Sequence, residues 1–309
     1  MDLDTSQDRQ RSPSPDDGLD FFSESLAALY DHHVPAHGDP LQLYTYSPPK
    51  PTTLEPLTVR LPPQAVNSLF AHHVWNAGLR MADALALGEL HVEGEDVLEL
   101  GAGAGISGLM AARMGASRVV LSDYDDPTLI DNLRLNIDLA FPGPGGAPTR
   151  ARLSACGHSW GDASTIPSLL SCGTIPAATP RHFSRILLAD TLWYSAGHLL
   201  LLDSLNELLA RTPTARVCIV AGFHSGRATP RSFLRKAGER GLVRRGRWQE
   251  VGTDGRRREW GWDLRRKEGD ADREGEWEEV EDASERNKWV VEGELGWSDE
   301  ALRGFEGQS

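Results

Sequence analysis

The sequence predicts an α/β fold, a Rossmann-like and mostly parallel sheet with helices on both faces. Three observations carry that reading. Short apolar runs such as Asp96-Val-Leu-Glu-Leu100, Arg118-Val-Val-Leu121 and Arg185-Ile-Leu-Leu-Ala189 have the length and composition of buried strands. They alternate with segments whose apolar residues recur at helical spacing, the pattern of β/α units. The first run also leads directly into Gly101-Ala-Gly-Ala-Gly105, a turn able to join a buried strand to a helix.

Residues 1–53 are rich in Ser, Asp and Pro and read as disordered or loosely structured, with only Leu19 to Tyr30 spaced like a short amphipathic helix. Such a segment buries too little apolar surface to offset its ordering entropy. Residues 54–300 read as one folded domain, and 301–309 as a tail. Val66 to Leu87 carries helical spacing through Leu69, Trp75, Leu79 and Ala82 to Leu85. Ile106 to Met114 is a helix, and so is Pro127 to Ile137, whose proline sits in the first turn where its missing N–H costs nothing. Gly143 to Gly146 reads as a loop and Ala151 to Ala155 as a short strand. A Leu-rich helix follows from His198 to Arg211, then a strand from Ala215 to Ala221 and a helix from Pro230 to Arg240. Val243 to Val251 and Lys288 to Trp297 are two final strands. The charge-rich stretch between them, 252–287, reads as a solvated insertion around a strand-like Glu259 to Leu264.

A net charge of -13 argues against a nucleic-acid partner, because phosphate backbones reward a basic face. No apolar run approaches the roughly 20 residues that cross a bilayer, and the N-terminus lacks the layout of a signal peptide. The expectation is a soluble protein of the cytoplasm, with the nucleus as alternative and no membrane partner. Cys156, Cys172 and Cys218 are odd in number, never form a Cys-x-x-Cys pair, and read as reduced thiols. His72, His73, His198 and His224 show no metal-ligand spacing, so no metal is expected. Of the four, His224 in Gly222-Phe-His-Ser-Gly226 is the best placed to face a substrate.

Chemistry concentrates at the glycine loop. Gly101, Gly103 and Gly105 let the backbone turn sharply and approach a ligand closely. Gly103-Ala-Gly-Ile-Ser-Gly108 also satisfies the dinucleotide fingerprint, with Asp123 at the distance of a ribose-binding acid, so a nicotinamide-dependent dehydrogenase is the rival reading. Two features count against it. Glu99 sits inside the strand end, in Leu98-Glu99-Leu100-Gly101, where a carboxylate repels a pyrophosphate but accepts from the cationic amino group of a methionyl moiety. The other is that Tyr46 to Lys50, the one Tyr-x-x-x-Lys, precedes the loop and contains two prolines, which bars a catalytic helix face. The ligand expected is therefore S-adenosylmethionine. Asp123 is placed to accept both hydroxyls of its ribose, against a capping role before Pro127. Trp160, flanked by Gly157 and Gly161, is placed either on the adenine face or in the core.

Several blocks in order resemble the family 16 methyltransferases, largely protein lysine methyltransferases: His72-His-Val-Trp-Asn-Ala-Gly78, Val97 to Gly103, Ser122-Asp-Tyr-Asp-Asp-Pro127, Asn132-Leu-Arg-Leu-Asn136, Trp160-Gly161 and Ala189-Asp-Thr-Leu-Trp193. The match covers roughly 55–300. The first and third blocks look most like a fungal subgroup that methylates translation elongation factor 1-alpha, often labelled nicotinamide N-methyltransferase. The resemblance implies a seven-stranded S-adenosylmethionine-dependent fold, a cofactor bordered by Trp75, Tyr124 and Ala189 as well as the residues above, and an Asp-x-x-aromatic motif, Asp190 to Trp193, beside the transferred methyl. It implies a protein substrate, such as a translation elongation factor, or a small amine. Where the elongation-factor enzymes follow that aromatic with Asn-His-Ser-Glu-His, this chain has Tyr194-Ser-Ala-Gly-His198, a smaller and less charged rim.

Methyl transfer needs a nitrogen lone pair. Freeing one on lysine at pH 7 costs about 4.6 kcal/mol, and on an N-terminal amine only about 1 kcal/mol. Asp190 with Trp193 and Tyr194 could receive a cationic amine by charge and cation–π contact, Asp190 orienting it or taking its proton. The competing roles are core packing for Trp193 and helix capping for Asp190. A catalytically inactive, cofactor-binding scaffold remains a further alternative, and the oligomeric state is not legible in the sequence.

Overall fold

The computed structural model describes residues 36–63, 71–173, 181–261, 264–266, 277–279 and 283–307. Its centre is an eight-stranded sheet of β1 (Asp96–Leu100), β2 (Arg118–Asp123), β3 (Leu153–Gly157), β4 (Arg185–Ala189), β5 (Arg216–Gly222), β6 (Leu242–Gly252), β7 (Arg257–Glu259) and β8 (Trp289–Trp297). The spatial order is β7-β6-β8-β5-β4-β1-β2-β3. Strands β3, β2, β1, β4 and β5 run parallel, while β8 enters antiparallel between β5 and β6. The chain steps outward from β1 to β2 and β3, then returns to β4 on its other side. That reversal makes β1/β4 the switch point, where the strands' carboxyl ends leave a crevice.

Period-two alternation splits the strand side chains between two cores. Val97, Val119, Leu121, Leu187, Cys218 and Val220 face one core, with α1 (Asn76–Ala86), α2 (Ile106–Arg113) and α3 (Pro127–Ala140) over them. Leu98, Val120, Ile186, Leu188, Val217 and Ile219 face the other, under α5 (Ile166–Ser171), α6 (His198–Leu208) and α7 (Ala228–Glu239). Burial on both faces explains why these strands read as unbroken apolar runs.

Several expectations need correction. Residues 36–53 are not a loose tail: Leu43–Tyr46 pairs with Leu57–Arg60, and Ala36–His37 pairs with Val74–Trp75. Tyr46, Leu57, Val59 and Leu61 enter the first core, and the Tyr46 hydroxyl donates to Asp83 at 2.6 Å. The prolines that disguised this hairpin lie in its connection. The expected helix over Val66 to Leu87 begins only at Asn76, with 64–70 outside the described residues, as are 1–35 and the helix expected there. Gly143 to Gly146 is not a loop but opens a short helix, α4 (Gly143–Arg150), which buries no residue. Glycine is needed at Gly146, where a Cβ would stand 2.1 Å from the Phe141 carbonyl oxygen. Residues 301–306 belong to α8 (Asp299–Glu306), which Ser298 caps and which lays Phe305 edge-on against Trp297 at 5.0 Å. In the insertion, Glu259 ends β7 and does not begin a strand, because Arg257–Glu259 completes a hairpin with β6 and pairing resumes at Leu264–Arg266 with Trp277–Glu279.

The reduced-thiol expectation also fails for two cysteines. Cys156 on β3 and Cys172 after α5 form a disulfide, brought together by the fold across a separation of 16 that no sequence motif flags, and only Cys218 is free and buried. No helix among the described residues is long and apolar enough to cross a membrane.

Candidate active site

The carboxyl ends of β1, β2 and β4 open onto one cavity of about 630 Å³, and all twelve candidate residues line it. Its floor is the loop after β1. Gly101, Gly103 and Gly105 hold φ values of +69°, +54° and +81°, the left-handed region that glycine adopts without penalty. A Cβ at Gly101 would stand 3.0 Å from Thr191 Cγ2 and 3.5 Å from Trp160 Cζ2, so glycine keeps the floor open as well as turned.

Two buried carboxylates frame that floor. Asp123, the last residue of β2, accepts from the Gly103 N–H at 2.6 Å through Oδ2 and from the Tyr124 N–H at 2.7 Å through Oδ1. Capping of α3 falls instead to Asp126, which accepts from the Thr128 and Leu129 N–H groups. Glu99 is 2% exposed, and its Oε2 accepts from the Gly108 N–H at 2.8 Å. Burial pushes its pKa up to about 8, against the opposing pull of its hydrogen bonds. A carboxylate this desolvated is relieved by an approaching cation. Burial likewise raises Asp123, opposed by its two backbone N–H bonds.

At the other end, Asp190 follows β4 with φ +58°, a conformation that aspartate tolerates better than most side chains. It caps no helix. Its Oδ1 accepts from the Gly222 N–H at 2.9 Å, and its Oδ2 lies 3.0 Å from His224 Nε2, both side chains being 7% exposed. Burial pushes the Asp190 carboxyl up, but the His224 charge and hydrogen bond, with the Gly222 N–H, hold it below its ordinary value. His224 mirrors this: burial lowers it, and the Asp190 charge and hydrogen bond raise it overall. Trp75, at the start of α1, sets its ring 5.4 Å from the His224 ring.

Trp193 and Tyr194 are half-buried wall residues with ring centroids 5.6 Å apart, and Trp193 belongs to neither core. Trp160 packs on the second core and also lines the cavity. Ala189 completes the wall, and Tyr124, 45% exposed, stands at the rim. Residues the sequence reading did not single out include Thr191, Gly197, Leu200 and His158. Gly197 lets Tyr194 fold back, since a Cβ there would meet the tyrosine Cδ1 at 2.4 Å, and its place in Tyr194-Ser-Ala-Gly was the available signal. His158 is a support, bonded on both ring nitrogens to Thr165 at 2.6 Å and Ser204 at 2.8 Å. His198 bonds the Leu192 carbonyl at 2.8 Å and is likewise structural.

Glu99, Asp123 and Asp190 give the cavity three carboxylates, with no Lys or Arg among its described lining residues. Such a site favours a cationic ligand and repels a diphosphate. Among the described residues, no group of three or more His, Cys, Asp or Glu is placed to hold a metal ion.

Comparison with known proteins agrees with this geometry. The chain is 34% identical over 158 residues to the protein N-terminal and lysine N-methyltransferase efm7 of Schizosaccharomyces pombe, covering 51% of this chain and 58% of that protein. It is 32% identical over 177 residues to the protein N-terminal and lysine N-methyltransferase EFM7 of Yarrowia lipolytica, covering 54% and 62%. A third, the EFM7 of Gibberella zeae, is 32% identical over 192 residues, covering 61% and 68%. The first two matches thus span about three fifths of those relatives' own length. The model of the family described as lysine methyltransferase matches residues 55–239, more than half of the sequence and the whole of the cavity's floor and walls, and the chain belongs to that family.

Proposed function

We propose that the chain is an S-adenosylmethionine-dependent N-methyltransferase acting on a protein amine, lysine or N-terminal, with translation elongation factor 1-alpha the first target to test. The observation that carries the reading is the cavity itself: a glycine floor between two buried carboxylates at one end, and an Asp190–His224 pair beside two aromatics at the other.

The residues fit S-adenosylmethionine. Glu99, desolvated beside the glycines, receives the ligand's cationic amino group, and Asp123 accepts from ribose hydroxyls. Gly101, Gly103 and Gly105 admit the backbone to close contact, and Trp160 with Trp75 supplies flat apolar wall. When bound, the cofactor supplies an electrophilic methyl on a sulfonium. The protein's part is to hold the acceptor nitrogen in line and in a dry setting. Trp193 and Tyr194 serve that purpose with their ring faces, which attract an ammonium. The names of the relatives, which pair N-terminal with lysine methylation, support a protein acceptor over a small amine.

The test has two stages. Thermal stabilisation by S-adenosylmethionine but not by NAD supports the cofactor, and the reverse result returns the dehydrogenase. Methyl-labelled cofactor is then offered with cell lysate, with purified elongation factor 1-alpha and with nicotinamide. Label in the elongation factor supports the reading. Label confined to nicotinamide defeats the protein acceptor, and binding without any transfer leaves an inactive scaffold.

A further inference from the structure

We propose that His224 is the proton acceptor of this site, taking the proton of the incoming ammonium at Nδ1, with Asp190 as its positioning residue. The proposal rests on the function proposed above and adds a residue and a step to it.

The geometry divides the work between the two side chains. Asp190 is pinned at Oδ1 by the Gly222 N–H at 2.9 Å and faces His224 Nε2 through Oδ2 at 3.0 Å. With both oxygens engaged, the carboxylate is not free to swing to a substrate, and its charge reaches the cavity through the imidazole. His224 Nδ1, by contrast, is buried and has no hydrogen-bond partner among the described residues. The residue that carries it is cavity wall, shared with Trp75, Trp193 and Tyr194. A buried nitrogen without a partner is costly, and the step requires the entering acceptor to open the cavity wall to Nδ1, where an ammonium satisfies it by donating. A base held by a third group, next to the place where the reacting atom sits, is the arrangement that activates nucleophiles.

Electrostatics point the same way. The Asp190 carboxylate favours the imidazolium, while burial and the positive charge of Arg286, ahead of β8, oppose it. Against burial, the carboxylate prevails and lifts His224 above its ordinary 6.5, which makes it the stronger base. In the step itself, one N–H bond of the ammonium breaks and an Nδ1–H bond forms. The electron pair stays on the acceptor nitrogen as its lone pair, and Asp190 balances the imidazolium. An N-terminal amine, with pKa about 7.7–8.0, gives up its proton to such a base more readily than lysine near 10.4.

The experiment compares wild type with His224→Gln and Asp190→Asn on purified elongation factor 1-alpha at saturating S-adenosylmethionine, from about pH 6 to about pH 10. Cofactor affinity is measured in parallel by calorimetry. For His224→Gln the expected rate at pH 7 is lower by about 100-fold or more, with cofactor affinity within about twofold of wild type. The deficit should shrink as pH rises past the acceptor's own pKa and the amine deprotonates unaided. Asp190→Asn should move the acid limb of the rate profile to lower pH, because the imidazole loses its counter-charge. A His224→Gln rate within about threefold of wild type overturns the proposal, as does a deficit that stays constant with pH or an acid limb unmoved in Asp190→Asn. If wild type methylates no acceptor at all, the proposed function fails with it. Wild-type transfer with any of the overturning results above removes the dyad alone.

Discussion

Glu99 Oε2 stands 2.8 Å from the N–H of Gly108, so the acid one residue before the end of β1 is locked to the first turns of the helix that follows. The contact is close because Gly108 has no side chain: a Cβ there would lie 2.2 Å from Leu121 Cδ2 and 2.8 Å from that same oxygen. Strand, loop and helix therefore converge on one buried carboxylate.

Glu99→Gln is expected to weaken cofactor binding and strengthen the empty fold. Burial raises the carboxyl from 4.5 to about 8. A carboxyl whose pKa rises on folding leaves stability intact below its unfolded pKa and erodes it as pH climbs from there to the folded value. Above pH 8 wild type bears the full cost of burying a charge, and glutamine, which still accepts from Gly108, does not. Thermal melts at about pH 8.5 should show Glu99→Gln unfolding several degrees higher, since 1 kcal/mol corresponds to roughly 2–4 °C in a domain of this size. S-adenosylmethionine should stabilise the variant far less, with affinity down about tenfold or more for the lost charge-assisted bond. An undiminished ligand shift would sink the role given to Glu99.

Gly101→Ala should damage binding more than folding. The left-handed φ of +69° costs an alanine about 1 kcal/mol, and the new methyl presses on Thr191 Cγ2 at 3.0 Å and touches Trp160 Cζ2 at 3.5 Å. Both neighbours are cavity wall, so the methyl occupies ligand space. Calorimetry should show cofactor affinity reduced at least tenfold with a melting temperature only a few degrees lower. A drop in stability with binding unchanged would place the ligand elsewhere.

Much of the site was legible because its parts are backbone-driven. Glycines after a buried strand, and acids at the ends of β1, β2 and β4, announce themselves by position along the chain. The Asp190–His224 pair was half legible: each residue ends or follows a parallel strand, but their 3.0 Å contact depends on β4 and β5 being neighbours, which spacing alone does not state. The hairpin at 43–60 was hidden by its prolines, and α8 by its place at the chain's end. Neither the Cys156–Cys172 pairing nor the support that Ser204 gives His158 leaves a local mark. Contacts between elements far apart in sequence are where single-chain reading stops.

Trp193→Ala tests the aromatic wall. Trp193 is half-buried and outside both cores, so its removal should cost little stability. A cation–π contact of about 0.5–2 kcal/mol would be lost, raising KM for the protein acceptor roughly 2- to 30-fold with cofactor affinity nearly unchanged. Steady-state kinetics with acceptor and cofactor varied separately distinguish the two. An equal loss for both would mean the ring shapes the whole cavity and not the acceptor end.

The last prediction concerns the frame behind the site. Arg227, ahead of α7, and Glu250 on β6 form an ion pair with both side chains fully buried, and Glu250 also accepts from Arg258 at 2.8 Å and from the Gly261 N–H at 3.1 Å. The Arg227 guanidinium also lies 4.0 Å over the Phe223 ring, next to His224. Removing one partner of such a pair leaves a buried charge partly uncompensated, typically at a cost of about 3–5 kcal/mol. Arg227→Met should therefore lower the melting temperature by roughly 6–20 °C, somewhat less if Arg258 takes up the slack. Arg227→Met combined with Glu250→Leu should regain part of that loss, because the fully buried carboxylate is no longer left behind, while Arg258, 18% exposed, keeps its place 3.8 Å over the Trp289 ring. If the double variant melts below both single variants, the pair contributes attraction beyond its own desolvation, and the frame around His224 is held by charge more than by packing.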